Sequence, residues 1–129
     1  MYPNDLKYTK SHEWVKVEGD TCKIGITSFA IKQLTDITFL EFSAENGEEL
    51  GKGEAFGEIE SVKSTSELYM PVSGKIVEVN TELEDMLEEL MKDPYEKGWM
   101  LKVELTEPED LNELLDTNDY ENHAENEEH

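Results

Sequence analysis

The sequence predicts a mainly β domain of short strands with a few short helices. Short β-rich or alternating runs recur along the chain, for example at 21–26, 37–42 and 99–105. Turn signals such as Glu18-Gly19-Asp20 and Gly51-Lys52-Gly53 separate them. At 129 residues, the chain has the length of one domain with a modest core.

The first predicted unit is a β-hairpin. Residues 14–17 alternate crudely, 18–20 form the turn, and 21–26 form the returning strand. Cys22 lies on the inward face of that strand, and as the only cysteine it excludes an internal disulfide and a multi-cysteine metal site. His12 is followed by Glu13, but no second titrating partner follows at a usable spacing, so we expect a structural, strand-edge histidine.

A short helix is predicted over 27–34, followed by two strands. Thr27 is a natural N-cap, and Ile26 can pack on Ile31 as a hydrophobic staple. The run 37–42 predicts a largely buried strand, and 54–60 predicts another.

The run 75–80 predicts a further strand with Val77 and Val79 on one face. Ile76 is the exception to the alternation of apolar and polar residues in this strand. Thr81 and Glu84 form a plausible capping box for a following helix. The helix would pack on the core through apolar residues at helical spacing: Leu83, Met86, Leu87, Leu90 and Met91.

The C-terminal part predicts a strand, a helix and a tail. Residues 99–105 alternate, and a helix opening near Pro108 has a stripe of Leu111, Leu114 and Leu115. The tail 121–129 is acidic, and we expect it to be frayed. Its two histidines, His123 and His129, are isolated in sequence, so no metal site is expected there.

The charge excludes some functions. Formal net charge is −21, and all eleven basic residues are lysines, so nucleic acid and anionic membranes are poor partners. The charge favours solubility or steering toward basic surfaces on partner proteins. No signal pattern or membrane-length apolar run is present, so we expect an intracellular chain that is complete from its first residue. The sequence contains no phosphate-binding loop, nucleophile elbow or His-Glu-x-x-His motif, and we expect a protein that is not an enzyme.

One hairpin stands out, within residues 57–74. A strand enters, a polar tip carries Lys63 between Val62 and Ser64, and a second run leads into a Pro71…Gly74 turn. Such a tip presents one side chain outward for modification by another protein, although a lysine at such a tip is more commonly only solvated.

These residues resemble the lipoylation hairpin of the glycine cleavage system H protein family. Other segments match the family in the same order, over nearly the whole chain from about residue 6 to 120: 8–14 (YTKSHEW), 25–27 (GIT), 60–63 (ESVK), 70–80 (MPVSGKIVEVN), and 93–95 (DPY) with 98–99 (GW).

The resemblance implies a barrel-sandwich hybrid, as in lipoyl and biotinyl carriers, with short helices including a C-terminal one. Lys63 would carry lipoic acid in amide linkage. The arm would take an aminomethyl group from a pyridoxal-phosphate glycine decarboxylase and pass the one-carbon unit to a tetrahydrofolate-dependent aminomethyltransferase. Dihydrolipoamide dehydrogenase would reoxidise it, and a lipoate ligase or lipoyl transferase would attach it. The reactive sulfurs would then belong to the cofactor.

Three residues match family positions that line a cleft for the loaded arm: Ser11, Glu13 and Glu67. A carboxylate there could pair with the protonated amine of the adduct. Glu67 stands where the family usually has Asp, and the alternative is that Glu13 and Glu67 are solvated edge residues.

Several positions depart from the family pattern. The family usually has Gly at Thr35, Pro at Ser43 and often His at Gln33, while Leu87 and Met91 replace a Pro and an Asn. The last two replacements predict a more continuous helix through Met91.

The resemblance implies a lipoyl-carrier domain over 1–120 and a flexible acidic tail over 121–129. We expect a cytoplasmic monomer in a bacterium, or a mitochondrial matrix protein if the chain is a mature eukaryotic one. An alternative function is an H-like lipoyl donor to 2-oxoacid dehydrogenase complexes. A biotin carrier is disfavoured because those usually place methionines beside the lysine.

Overall fold

The computed structural model describes residues 2–128 and shows two β-sheets that do not close into a barrel, with short helices around them. The strands are β1 Lys7–Tyr8, β2 Glu13–Glu18, β3 Thr21–Ile26, β4 Ile37–Phe42, β5 Glu49–Leu50, β6 Ala55–Ser61, β7 Thr65–Tyr69, β8 Gly74–Val79 and β9 Leu101–Leu105. The α-helices are α1 Ser28–Leu34, α2 Leu87–Lys92 and α3 Thr117–Glu128, and the 3-10 helices are Thr81–Asp85 and Pro108–Glu113.

The six-stranded sheet has the order β1-β2-β3-β9-β8-β5, and the three-stranded sheet has the order β4-β6-β7. Every strand pair within them is antiparallel. The predicted mainly β class with short helices and a C-terminal helix is confirmed. Within residues 2–128, no helix has the length and apolar character needed to cross a membrane.

The N-terminal half follows its predicted elements. The hairpin of β2 and β3 is confirmed, with Val17 opposite Cys22, and Cys22 is fully buried as expected. Thr27 caps α1, because its hydroxyl accepts a hydrogen bond from the amide of Ala30 at 3.3 Å. The prediction of a largely buried β4 is wrong. Phe39 is 40% exposed, since β4 is an edge strand with one face in solvent.

The face predicted for the strand at 75–80 is also wrong. Ile76 is 1% exposed and packs in the core, whereas Val77 is 45% exposed. The register of β8 against β9 shifts between Ile76 and Glu78, which identifies a β-bulge. A bulge inserts one extra residue and changes which side chains face inward, so simple alternation fails there.

The continuous helix predicted between Thr81 and Met91 is broken. A 3-10 helix ends at Asp85, Met86 has a non-helical backbone (φ −128°, ψ 50°), and α2 begins at Leu87. Thr81 and Glu84 form no capping box. The carboxylate of Glu84 instead accepts a hydrogen bond from the amide of Phe42 at 2.8 Å, which ties this segment to β4. Leu87 and Met91 are both helical in α2, so the break lies before them, at Met86.

The C-terminal helix begins later than predicted. The leucine stripe at 111–115 belongs to a 3-10 helix and the segment after it, while α3 starts at Thr117 and continues to Glu128. The tail expected to be frayed is therefore helical over 121–128, and the expected boundary at Tyr120 falls inside α3. His129 lies outside the described residues. Tyr120 and Ala124 lie one helical turn apart and are both buried, which gives α3 a face to pack.

The core has two parts. The larger one fills the space between the sheets and includes Ile24, Phe56, Ile76, Leu101 and Val103. A smaller cluster packs α3 against the N-terminal residues and consists of Tyr2, Leu6, Tyr8, Trp14, Phe29, Tyr120 and Ala124. This second cluster packs beside the turn before β2, where two of the predicted site residues lie: Ser11 in the turn and Glu13 at the start of β2.

Candidate functional site: a projecting lysine beside an acidic groove

Lys63 lies at the tip of the β6–β7 hairpin, and it is exposed. The tip is closed by Ser61, whose amide donates to the carbonyl of Ser64 at 2.8 Å and whose hydroxyl oxygen accepts from the amides of Lys63 and Ser64. The amide of Val62 donates to the carbonyl of Asp36 at 3.0 Å, in the connection between α1 and β4. These bonds fix the backbone of the tip and leave the lysine side chain in solvent.

A groove of about 550 Å³ runs beside β7. One wall is β7 itself, the second is the turn before β2, and the third is α1. Its lining residues are Ser11, His12, Glu13, Ile26, Ala30, Gln33, Leu34, Ile59, Ser64, Thr65, Ser66, Glu67, Leu68 and Tyr69. The lining therefore starts one residue after Lys63 and continues along the whole of β7.

Glu13 is the most enclosed acid of the groove, at 2% exposure. Its Oε1 accepts hydrogen bonds from the hydroxyls of Thr9 at 2.7 Å and Ser11 at 2.5 Å. The backbone amide of Tyr69 also donates to it. Burial raises the pKa of Glu13, and these hydrogen bonds offset part of that rise because they stabilise the carboxylate. A cation entering the groove would meet an oriented oxygen acceptor.

Glu67 and Tyr69 project from the same face of β7, two residues apart. The Tyr69 hydroxyl donates a hydrogen bond to the Glu67 carboxylate, which raises the pKa of Tyr69. Glu67 also stands opposite Glu58 of β6 in the strand register. The groove thus contains a buried carboxylate at one wall and an exposed one at another.

The structure brings three of the predicted site residues into the lining of one groove: Ser11, Glu13 and Glu67. Lys63 is outside the lining, at the turn where β7 begins. Sequence reasoning missed Thr9 and Tyr69. Alternation along 65–69 would have placed Tyr69 on the face of Glu67, whereas Thr9 reaches Glu13 only through the local turn.

Two other residues were given structural roles from sequence. His12 is 7% exposed and lies in a left-handed backbone conformation (φ 73°), with its ring nitrogens bonded to the Tyr120 hydroxyl and the Glu127 carboxylate. Cys22 is enclosed by the main core, and burial raises its pKa to about 12. The Cys22 thiol is therefore unreactive.

A two-sheet fold that presents one lysine on a fixed, projecting turn beside a groove is the arrangement of a carrier protein with a covalently attached arm. Comparison with known families gives the same class. A family model described as "Glycine cleavage H-protein" matches residues 6–127. The chain belongs to this family, the lipoyl carriers of the glycine cleavage system.

Individual relatives agree with the family match. A glycine cleavage system H protein of Staphylococcus haemolyticus is 54% identical over 118 residues, which cover 92% of this chain and 93% of that relative. A crystal structure of a glycine cleavage system H protein from Mycobacterium marinum superposes with a TM-score of 0.84 at 40% identity, covering 93% of this chain and 96% of that one. The similarity covers nearly the whole chain, and the chain is a carrier component of the glycine cleavage system.

Proposed function

We propose that Lys63 carries lipoic acid in amide linkage and that the lipoyl arm shuttles an aminomethyl group between the enzymes of glycine cleavage. The observation that carries this proposal is the position of the groove. Its lining begins at Ser64, directly after the lysine, and follows β7 to Tyr69. An arm anchored at Lys63 can thus extend into solvent toward a partner or fold back along the strand.

The length of the arm supports this proposal. A lysine stem plus a lipoyl chain, with roughly a dozen bonds, is about 10–15 Å long. A strand rises about 3.3 Å per residue, so that length corresponds to roughly three to five residues of β7. The end of a folded-back arm would then lie at the level of Ser66 to Leu68, next to Glu67.

The charges at that level suit the loaded arm. An aminomethyl adduct carries a protonated amine, and a carboxylate is its natural partner in a charge-assisted hydrogen bond. Thr9 and Ser11 both bond Oε1 of Glu13 and so fix the orientation of the carboxylate, which means that little conformational entropy is lost when a cation binds. We propose that Glu13 and Glu67 hold the amine and that Ser11 orients Glu13.

The proposed partners are the glycine decarboxylase, the aminomethyltransferase and dihydrolipoamide dehydrogenase, with a lipoate ligase or lipoyl transferase acting on Lys63. A net charge of −21 would steer the carrier toward basic surfaces around their active sites. We further propose a monomer acting in the bacterial cytoplasm.

Intact mass after lipoylation, combined with peptide mapping, tests the attachment site. We expect the native chain to gain one lipoyl group at Lys63 and Lys63→Arg to gain none. Lys75→Arg is the matched control, because Lys75 is also exposed but lies on β8 in the other sheet. Lipoylation of Lys63→Arg at another position would refute the assignment.

Glycine–bicarbonate exchange with the glycine decarboxylase tests the shuttle. Lipoylated native protein should support exchange, and unmodified protein should not. Lipoylation at Lys63 without exchange would refute the shuttle while leaving the attachment site in place. Transfer of the lipoyl group to a 2-oxoacid dehydrogenase subunit would then be the function to measure.

A further inference from the structure

A second cluster of potential ligands lies behind the groove, where α3 crosses the turn before β2. Three side chains converge there, and their ligand atoms all lie within 4.8 Å of one another: His12, His123 and Glu127. The Glu127 carboxylate bridges the two rings, with Oε2 at 2.6 Å from Nε2 of His12 and Oε1 at 3.3 Å from Nε2 of His123. The two imidazole centroids are 5.6 Å apart.

We propose that His12, His123 and Glu127 form a binding site for a divalent metal ion of the Zn²⁺ class. Two imidazoles and one carboxylate are a known tetrahedral ligand set for Zn²⁺, with water in the fourth position. The Nε2 and carboxylate oxygen atoms would have to stand about 3.3 Å apart around the ion, from ligand distances of about 2.0–2.1 Å in tetrahedral geometry. Oε1 of Glu127 already stands at that distance from Nε2 of His123. Nε2 of His12 lies 2.6 Å from the other oxygen, Oε2, so the carboxylate and the His12 ring must move apart to admit the ion.

The surroundings of His12 fit the role of a ligand. Its Nδ1 lies 2.7 Å from the Tyr120 hydroxyl, which in turn lies 2.7 Å from the Thr27 hydroxyl. A metal-binding histidine is commonly held in this way through its other ring nitrogen, which fixes the ring orientation. Both hydroxyls can donate or accept, so these hydrogen bonds are compatible with the tautomer of His12 that has a proton on Nδ1 and a free Nε2.

His123 and Glu127 are presented by the same helix face. They lie four residues apart on α3, so one turn separates them and both point toward His12. Nε2 of His123 contacts the Lys10 carbonyl at 3.0 Å, and this bond would be given up on metal binding. The side chains of His123 and Glu127 are 24% and 37% exposed, so an ion and its water have access from solvent.

Sequence separation led to the expectation of no metal site, because His123 is 111 positions from His12. The fold brings the two histidines together. Tyr120 and Ala124 of α3 pack into the N-terminal aromatic cluster, and this places His123 of the same helix beside residues 10–12. A bound ion would fasten α3 to the turn that carries Ser11 and leads into β2 at Glu13. The inference depends on these ligands alone and not on the proposed shuttle.

Zinc titration of the full chain, after removal of metal with a chelator, tests the site. We expect one Zn²⁺ per chain in competition with a chromophoric chelator, and a melting temperature that rises with added zinc. His123→Ala and Glu127→Gln should each weaken binding by about tenfold or more, at least the loss that removal of an outer-shell partner causes. The chain should stay folded, since both side chains are partly exposed. Asn122→Ala and Glu125→Gln, exposed neighbours on the same helix, should bind zinc like the native chain.

Chemical shifts give an independent measurement. Zinc should shift the imidazole signals of His12 and His123 together, with the same dependence on zinc concentration. If His123→Ala and Glu127→Gln bind zinc as tightly as the native chain, or if no stoichiometric binding is found, the site does not exist.

Discussion

Replacing Glu13 by Gln tests whether the groove holds the loaded arm. The substitution removes one negative charge and keeps the shape, and the remaining carbonyl oxygen can still accept from Thr9 and Ser11. Lys63 is untouched, so lipoylation and loading with glycine-derived aminomethyl groups should proceed. The proposed contact that the substitution removes is one between a fixed carboxylate at 2% exposure and a cationic amine.

The magnitude follows from that contact. A hydrogen bond to a charged group contributes about 1.5–3 kcal/mol, and each 1.4 kcal/mol is a factor of about ten. The loaded arm of Glu13→Gln should therefore leave the groove, and lose its amine to solvent, roughly ten to a hundred times faster than that of the native protein.

The assay uses carrier loaded from labelled glycine and then freed of the decarboxylase. Release of ammonia and formaldehyde is followed without the aminomethyltransferase. Glu78→Gln is the control, since Glu78 is exposed on β8 and its loss makes the same change in net charge. Normal loading of Glu13→Gln combined with native release rates would refute the role of Glu13.

Three further predictions concern stability. Gly25→Ala should lower the free energy of unfolding by about 1–3 kcal/mol, measured by urea denaturation, because a Cβ there would lie 2.6 Å from the buried ring of Trp14. Thr27→Ala should lower the free energy of unfolding by about 1 kcal/mol, because the Thr27 hydroxyl caps the amide of Ala30. Thr27→Ser keeps the hydroxyl and should retain most of that stability. Burial raises the pKa of Cys22 from 9.0 to about 12, so its contribution to stability is complete below pH 9 and declines from there to pH 12. Cys22→Ala should show a shallower decline of stability over that range, and the native thiol should react with disulfide reagents at pH 8 only on unfolding.

Each of these has a result that would contradict it. Unchanged stability of Gly25→Ala would mean that the Trp14 ring can move without cost. Equal losses for Thr27→Ala and Thr27→Ser would mean that volume and not the hydroxyl matters. Parallel pH profiles of the native chain and Cys22→Ala would mean that other groups cause the alkaline loss.

Elements with a local cause could be predicted from the sequence. The β2–β3 hairpin has its turn residues between two alternating runs, and α1 has its cap at Thr27. The Lys63 tip is likewise a local feature, since its turn is closed by Ser61 and Ser64. In each case the residues that determine the structure are neighbours in sequence.

Elements fixed by distant contacts could not be predicted. The break at Met86 accompanies a bond between Glu84 and β4, and the inversion of Ile76 and Val77 accompanies a bulge against β9. The last segment is helical and not frayed because Tyr120 is buried among residues from the other end of the chain. The groove itself joins residues 11–13 to 64–69, a proximity that only the family resemblance suggested.

The edge position of β7 has a consequence for self-association. Among the described residues β7 pairs with no strand other than β6, so its other edge faces the groove, where the amide of Tyr69 already bonds the Glu13 carboxylate. An unpaired edge is a template on which a strand from another molecule can add and begin aggregation. β7 is only five residues long and carries Glu67, and the large negative charge of the chain repels a second copy. The proposed lipoyl arm can therefore fold back along this edge without competition from a strand of a second copy.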